Sequence, residues 1–262
     1  MVDGGALKLE ILTSGIWQTT STIIEHGGEC LVVDPAYFPR ELDAIAERAG
    51  AHRVVATVFT HGHWDHVMGH SRFDAPVWLS ATLDRSIADN DPRAAKYLAD
   101  AREFDSKWYV PRPGHAWPTR RRGLANDDTI ELAGETLRVL HLPGHSPDGL
   151  GLVAGDVVLV GDYLSPCEIP FVDDPVAYLA TLSRLRGLIA EGRDVIPGHG
   201  ARLRPVEALA IAREDITYLE GLLAAAAARS RELAHALQLP RAADVVGMRE
   251  HHLENCGVIG LA

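Results

Sequence analysis

The feature that most constrains this chain is six residues long. His61-Gly62-His63-Trp64-Asp65-His66 follows directly on Arg53–Thr60, an apolar, β-branched run of the kind that a strand covered on both faces requires. A strand therefore delivers four metal-capable side chains to one loop. Residues two apart in an extended segment project to the same side, so His61 and His63 can close on one ion. Asp65 and His66 are adjacent and diverge, which suits them to a second ion beside the first. Three further segments repeat the pattern: Leu142-Pro143-Gly144-His145, Val160-Gly161-Asp162 and Ile196-Pro197-Gly198-His199 each end an apolar stretch in a donor.

The elements around these loops are predicted from periodicity and turn chemistry. Strands are expected over Ala6–Thr13, Thr19–Glu25, Cys30–Val33, Pro76–Ser80, Thr129–Leu132, Thr136–His141, Leu150–Ala154, Val157–Val160 and Val195-Ile196. A short amphipathic helix is expected over Arg40–Ala49. A second is marked by Asp173 or Asp174 as its cap, Pro175 at its first position and Gly192 past its last turn. From Pro205 to Leu237 the chain reads as helix, with Leu209, Ala212, Ile216, Leu219 and Leu223 along one face. A last helix is expected over Ala242–His252. The segment Ala81–Arg122 begins as helix, then becomes rich in proline, aromatics and charge, and is expected to be a surface insertion or lid. Strand-rich halves, each with helices, predict an α/β fold of two sheets covered by helices on their outer faces, an αββα sandwich. The main domain is expected over residues 1–204, with a helical extension, 205–262, packed on it.

Composition removes several function classes. At 47% hydrophobic and 23% charged, the chain has the makings of a core and is not a disordered one. A net charge of -11 disfavours a nucleic-acid partner, because phosphate binding needs the opposite field. The Arg120-Arg121-Arg122 cluster is the one counter-signal, and it reads as a solvated face. No apolar run approaches the 18 or so residues of a membrane span, so no membrane partner is expected. Cys30, Cys167 and Cys256 form no CxxC pair, and the first residues carry no basic and apolar leader pattern. A cytoplasmic location is the expectation. A serine-hydrolase reading fails at Gly144-His145-Ser146-Pro147-Asp148, which lacks the second glycine of G-x-S-x-G. Gly198-His199-Gly200 fails as a dinucleotide fingerprint because Leu203 stands where the third glycine belongs.

The order H-x-H-x-D-H, then His145, Asp162 and His199, resembles the metallo-β-lactamase-fold hydrolase superfamily over nearly the whole chain. Val32-Val33-Asp34 resembles that family's first motif, although Ala36 stands where a glycine is often found. The resemblance implies that His61, His63 and His145 bind one metal, that Asp65, His66 and His199 bind a second, and that Asp162 bridges them. It makes Asp34 an orienting partner for a ligand. True β-lactamases of the superfamily carry a cysteine, or no bridging ligand, at the position of Asp162. The bridging aspartate is more similar to the glyoxalase II, thioesterase, lactonase and RNA-processing branches.

Five imidazoles and two carboxylates suit two divalent ions, zinc foremost, with iron or manganese also compatible. A pair of ions sharing a carboxylate lowers the pKa of a bridging water toward neutrality, and that hydroxide is the expected nucleophile on an acyl carbon. Asp65 is the expected proton acceptor. Tyr163, and His115 or Tyr109 in the insertion, are candidate oxyanion donors; Phe104, Trp108 and Trp117 are candidates to line a pocket or to anchor the insertion. The expected partner is a small-molecule acyl substrate: a thioester, lactone or ester. β-Lactam or phosphodiester cleavage, or a non-catalytic metal-binding module, are the alternatives on the same fold. The chain's tail lacks a recognisable basic cluster for glutathione. The stripe on the C-terminal helix suits packing on its own chain or on a second copy, a homodimer. His26, His52, His235, His251 and His252 read as turn or surface residues.

Overall fold

The computed structural model describes residues 6–112, 114–241 and 247–261. The chain divides into two compact units: residues 1–141 with 150–155, and residues 142–149 with 156–262.

The first unit opens with an antiparallel meander, β1 (Lys8–Thr13), β2 (Thr20–His26) and β3 (Glu29–Val33), whose tight turn at Gly27 and Gly28 uses positive φ at both glycines. Helix α1 (Pro39–Ala49) then carries the chain over so that β4 (Arg53–Val58) can lie parallel to β3. Leu42, Ile45 and Ala49 of α1 are buried against Ile23, Cys30 and Val32, which accounts for its amphipathic spacing. Burying Leu42 and Ile45 contributes roughly 1.5–3 kcal/mol each. The single turn α2 (Trp64–Val67) carries Asp65 and His66, so the metal-capable segment is half loop and half helix, and β5 (Val77–Ser80) pairs parallel with β4.

The segment after β5 forms two helices, α3 (Ala81–Ala88) and α4 (Pro92–Lys107), and returns as β6 (Arg121–Leu124) parallel to β5. Arg121 and Arg122 of the arginine cluster begin the sixth strand; Arg120 and Arg122 are exposed, as a solvated face requires, while Arg121 is half-buried. Arg120 pairs with Asp74 at 2.7 Å, Arg121 with Asp84 at 2.6 Å, and the Arg122 guanidinium lies 5.8 Å from the Trp78 ring. The strands β1 to β6 follow one another in order across this sheet. Beside that sheet the unit holds β7 (Thr129–Leu132), β8 (Glu135–His141) and β9 (Leu150–Ala154), all antiparallel.

In the second unit β10 (Val157–Leu159) and β11 (Asp194–Ile196) are parallel and joined through α5 (Pro175–Ala190). Asp174 caps α5, accepting from the Val176 and Ala177 amides at 2.9 and 3.0 Å, with Pro175 in the first turn. Helix α6 (Pro205–Ala228) stops before the predicted Leu237. Arg229 adopts φ +50°, and Ser230 caps α7 (Arg231–His235) by accepting from the Leu233 amide at 3.1 Å. A serine that can satisfy a free amide competes with helix continuation, and here it wins. Of the predicted helix Ala242–His252, residues 242–246 lie outside the described residues; α8 (Met248–Val258) begins later and runs further. Among the described residues no helix is long and apolar enough to cross a membrane.

Candidate metal centre

In the first unit the site is organised by Asp34, the residue just past β3. Its backbone is held at φ +46°, a costly conformation outside glycine, and its amide donates to the Val58 carbonyl at 2.9 Å. That pose turns the carboxylate toward the loop after β4. Oδ1 accepts from the Thr60 amide at 2.7 Å, and Oδ2 accepts from the Thr60 hydroxyl at 2.5 Å and from His66 Nδ1 at 3.0 Å. With its Nδ1–H given to Asp34, His66 is the tautomer whose lone pair sits on Nε2. Thr60 passes the effect on. Its proton is committed to Asp34, so it accepts from His61 Nδ1 at 3.1 Å and leaves the His61 lone pair on Nε2 as well.

These constraints converge on one point. His61 Nε2 and His63 Nδ1 lie 3.0 Å apart. Two nitrogens bound tetrahedrally to one zinc at the usual bond length would be about 3.3 Å apart. Asp65 Oδ2 lies 3.3 Å from His66 Nε2 and 3.3 Å from the Thr19 hydroxyl. His61, Asp65 and His66 are buried, and His63 is half-buried.

In the second unit the turn carrying His145 needs a glycine. Gly144 has φ +133°, and a Cβ there would lie 2.3 Å from the Tyr178 Cα. The Gly144 carbonyl accepts from both the Asp173 and Asp174 amides at 2.9 Å, which pins the turn to the start of α5. The His145 amide donates to the Tyr163 hydroxyl at 2.9 Å, and that hydroxyl donates to the Leu142 carbonyl at 3.1 Å. His145 Nδ1 donates to the Phe171 carbonyl at 3.0 Å, so its lone pair is on Nε2, 3.3 Å from Asp162 Oδ2. His199 Nε2 lies 3.4 Å from the same oxygen, with its Nδ1 3.8 Å from Glu168 Oε1. One carboxylate oxygen beside two imidazole nitrogens is repulsive until a cation or extra protons sit among them. The donor set therefore fits divalent metal: hard oxygen and borderline nitrogen, with lone pairs preset by their outer partners.

The other sequence candidates have their own partners. The Tyr163 hydroxyl clamps the His145 turn, and burial holds its phenol well above the ordinary range. His115 Nε2 lies 2.7 Å from Asp105 Oδ2, in a buried knot where Asp105 also accepts from Tyr37 Oη at 2.6 Å and Arg112 Nε at 2.7 Å. That knot fastens the stretch after α4 to the body of its unit. Trp117 Nε1 donates to the Ala94 carbonyl at 3.2 Å, while Trp108 and Tyr109 are exposed. Phe104 joins an aromatic cluster with Trp17, Tyr37 and Trp64, the residue between His63 and Asp65. Sequence reasoning passed over Thr60, Glu168 and Phe171, which act through a backbone carbonyl or from outside any motif. Two histidines read as turn or surface residues are buried instead: His26 meets the Leu132 carbonyl at 3.3 Å, and His252 is fully enclosed.

Comparison with known proteins agrees with this chemistry. The model of the Metallo-beta-lactamase superfamily matches residues 14–222. The chain is 31% identical over 166 residues to an acyl-coenzyme A thioesterase, MBLAC2, of Gallus gallus, covering 56% of this chain and 57% of that protein. It is 31% identical over 172 residues to a hydroxyacylglutathione hydrolase of Acidiphilium cryptum (strain JF-5), covering 64% and 59%. The matches thus span less than two thirds of the length of these relatives. Among solved structures, a metallo-beta-lactamase family protein from Thermus thermophilus shares the fold with a TM-score of 0.67 at 22% identity, covering 97% of this chain and 94% of that one. A protein solved in a di-iron-bound form is similar at 28% identity and a TM-score of 0.58, covering 76% and 96%. The family match takes in Asp34 and every metal-capable residue described above, and this chain belongs to the metallo-β-lactamase superfamily.

Proposed function

We propose that this chain is a binuclear metal-dependent hydrolase of acyl bonds, with thioesters as its substrate class ahead of lactones and simple esters. The observation that carries the reading is Asp162 Oδ2, placed 3.3 Å from His145 Nε2 and 3.4 Å from His199 Nε2 as a shared ligand would be. On the superfamily resemblance one ion is assigned to His61, His63 and His145, the other to Asp65, His66 and His199, and Asp162 is assigned to both. Two ions so held would supply Lewis acidity and a hydroxide at neutral pH.

The protein's own part is orientation and proton handling. Asp34 and the Phe171 carbonyl fix which nitrogen of His66 and His145 faces inward. Asp65, whose Oδ2 lies beside the Thr19 hydroxyl, is positioned to accept a proton and return it to the leaving group. Zinc is the favoured metal on donor chemistry; the similarity to a di-iron-bound protein keeps iron as the competing assignment. Thioesters come first because two relatives at 31% identity are named for thioester substrates, and because Asp162 replaces the cysteine of the lactamase pattern.

The test is a turnover screen of metal-loaded protein against acyl-CoA and S-acylglutathione thioesters, lactones, phosphodiesters and β-lactams. The expected result is a kcat/KM for thioesters about tenfold or more above the others, a transition-state preference of about 1.4 kcal/mol. Asp162→Ala should abolish most of that turnover in a folded chain. Hydrolysis of phosphodiesters alone would overturn the substrate class, and near-wild-type turnover in Asp162→Ala would overturn the mechanism.

A further inference from the structure

The C-terminal helix α8 reaches the candidate metal centre through one buried amide. Asn255 is 3% exposed. Its Oδ1 accepts from the Val172 amide at 3.1 Å, and its Nδ2 donates to the Pro170 carbonyl at 2.7 Å. The side chain therefore grips the backbone on both sides of Phe171, the residue whose carbonyl accepts from His145 Nδ1 at 3.0 Å. The second Nδ2 proton goes to the Tyr218 hydroxyl at 2.9 Å; that hydroxyl meets His252 Nδ1 at 2.9 Å, and His252 Nε2 meets the Ala234 carbonyl at 3.1 Å. This line has one consistent proton order. His252 donates from Nε2 to Ala234, Tyr218 donates to His252 Nδ1, and Asn255 donates to Tyr218 and Pro170. A flip of the Asn255 amide would set its NH2 against the Val172 N–H, so its orientation is determined. From the outside, the His251 ring lies 4.0 Å from the Phe171 ring.

We infer that Asn255 is a positioning residue for the metal ligand His145, holding the 170–172 segment so that the Phe171 carbonyl presets the imidazole. The inference rests on the reading of His145 as a ligand. It gives α8 a role in metal affinity that its position, 110 residues along the chain from His145, would not suggest.

Chelator competition on the full chain at a temperature well below unfolding tests it. Asn255→Asp keeps the size and the acceptor for Val172 but sets oxygen against the Pro170 carbonyl. It should weaken one of the two bound ions about tenfold, the usual scale for losing an outer partner of a ligand, and leave the other at its wild-type constant. Tyr218→Phe removes a hydroxyl of the same buried line without touching residues 170–172. It should lower the melting temperature and leave both constants unchanged. Wild-type constants for both ions in Asn255→Asp, or an equal loss in Tyr218→Phe, would overturn the inference. A measurement on the unaltered protein stands beside these should Asn255→Asp not fold. Metal loading should slow hydrogen exchange at the Val172 amide, and unchanged exchange there would also overturn it. A wild-type chain that binds fewer than two ions would instead overturn the binuclear reading, a distinguishable failure.

Discussion

Asp34 does the most at the residue scale. Its carboxylate binds the Thr60 amide, the Thr60 hydroxyl and His66 Nδ1, and through Thr60 it sets the tautomer of His61. Asp34→Asn keeps the shape but offers one acceptor oxygen in place of two, so an amide N–H must face the Thr60 amide, the Thr60 hydroxyl or the His66 ring. Metal affinity should fall roughly 10–100-fold, read by competition against a chelator; an unchanged affinity would show that the tautomers are set elsewhere. His252 gives a pH prediction. Burial lowers its pKa below the ordinary value of 6.5. Above about pH 6.5 both folded and unfolded chains hold it neutral, and its contribution to stability is fully present. As pH falls, the unfolded chain binds a proton that the fold refuses, and that stability is lost. The drop in melting temperature between pH 7 and pH 5 should therefore be smaller in His252→Gln than in the wild type, both measured metal-free. Equal drops would contradict it.

At the scale of elements, what matters is how strand ends and helix starts are tied together. The Gly144 carbonyl collects the Asp173 and Asp174 amides, so the turn bearing His145 is built onto α5. Gly144→Ala would place a Cβ 2.3 Å from the Tyr178 Cα and demand φ +133° of an alanine. The expected cost is about 3 kcal/mol or more, as overpacking and backbone strain add, read by urea denaturation; a cost below about 1 kcal/mol would mean that the turn relaxes freely. The metal-capable turns were legible in sequence because each follows an apolar run whose period fixes where the donors emerge. The strand at Arg121–Leu124 was not, because its charged residues are satisfied by Asp84 and by the Trp78 ring, partners supplied only by the folded unit. The end of α6 was missed for a local reason: Ser230 starts a new helix where apolar periodicity alone would continue the old one.

At the scale of the whole molecule, the candidate metal-capable residues each end an apolar run and can be read from the sequence, whereas the residues that orient them are scattered. Thr60, Phe171 and Asn255 contribute a hydroxyl, a backbone carbonyl and a distant amide, none of which leaves a spacing to recognise. The anchoring of the stretch beyond α4 is likewise not written in a motif, since the Asp105 knot joins Tyr37 to Arg112 and His115 from separate parts of the chain. The pair of ions is decided by the metal content of the purified chain, measured by mass spectrometry, with thermal melts in the presence and absence of a chelator. Two divalent ions per chain and a melting temperature that falls on chelation are expected, because an ion present at about a thousand times its Kd stabilises the fold by about 4 kcal/mol. Fewer than one ion per chain, with a melting temperature indifferent to the chelator, would contradict it.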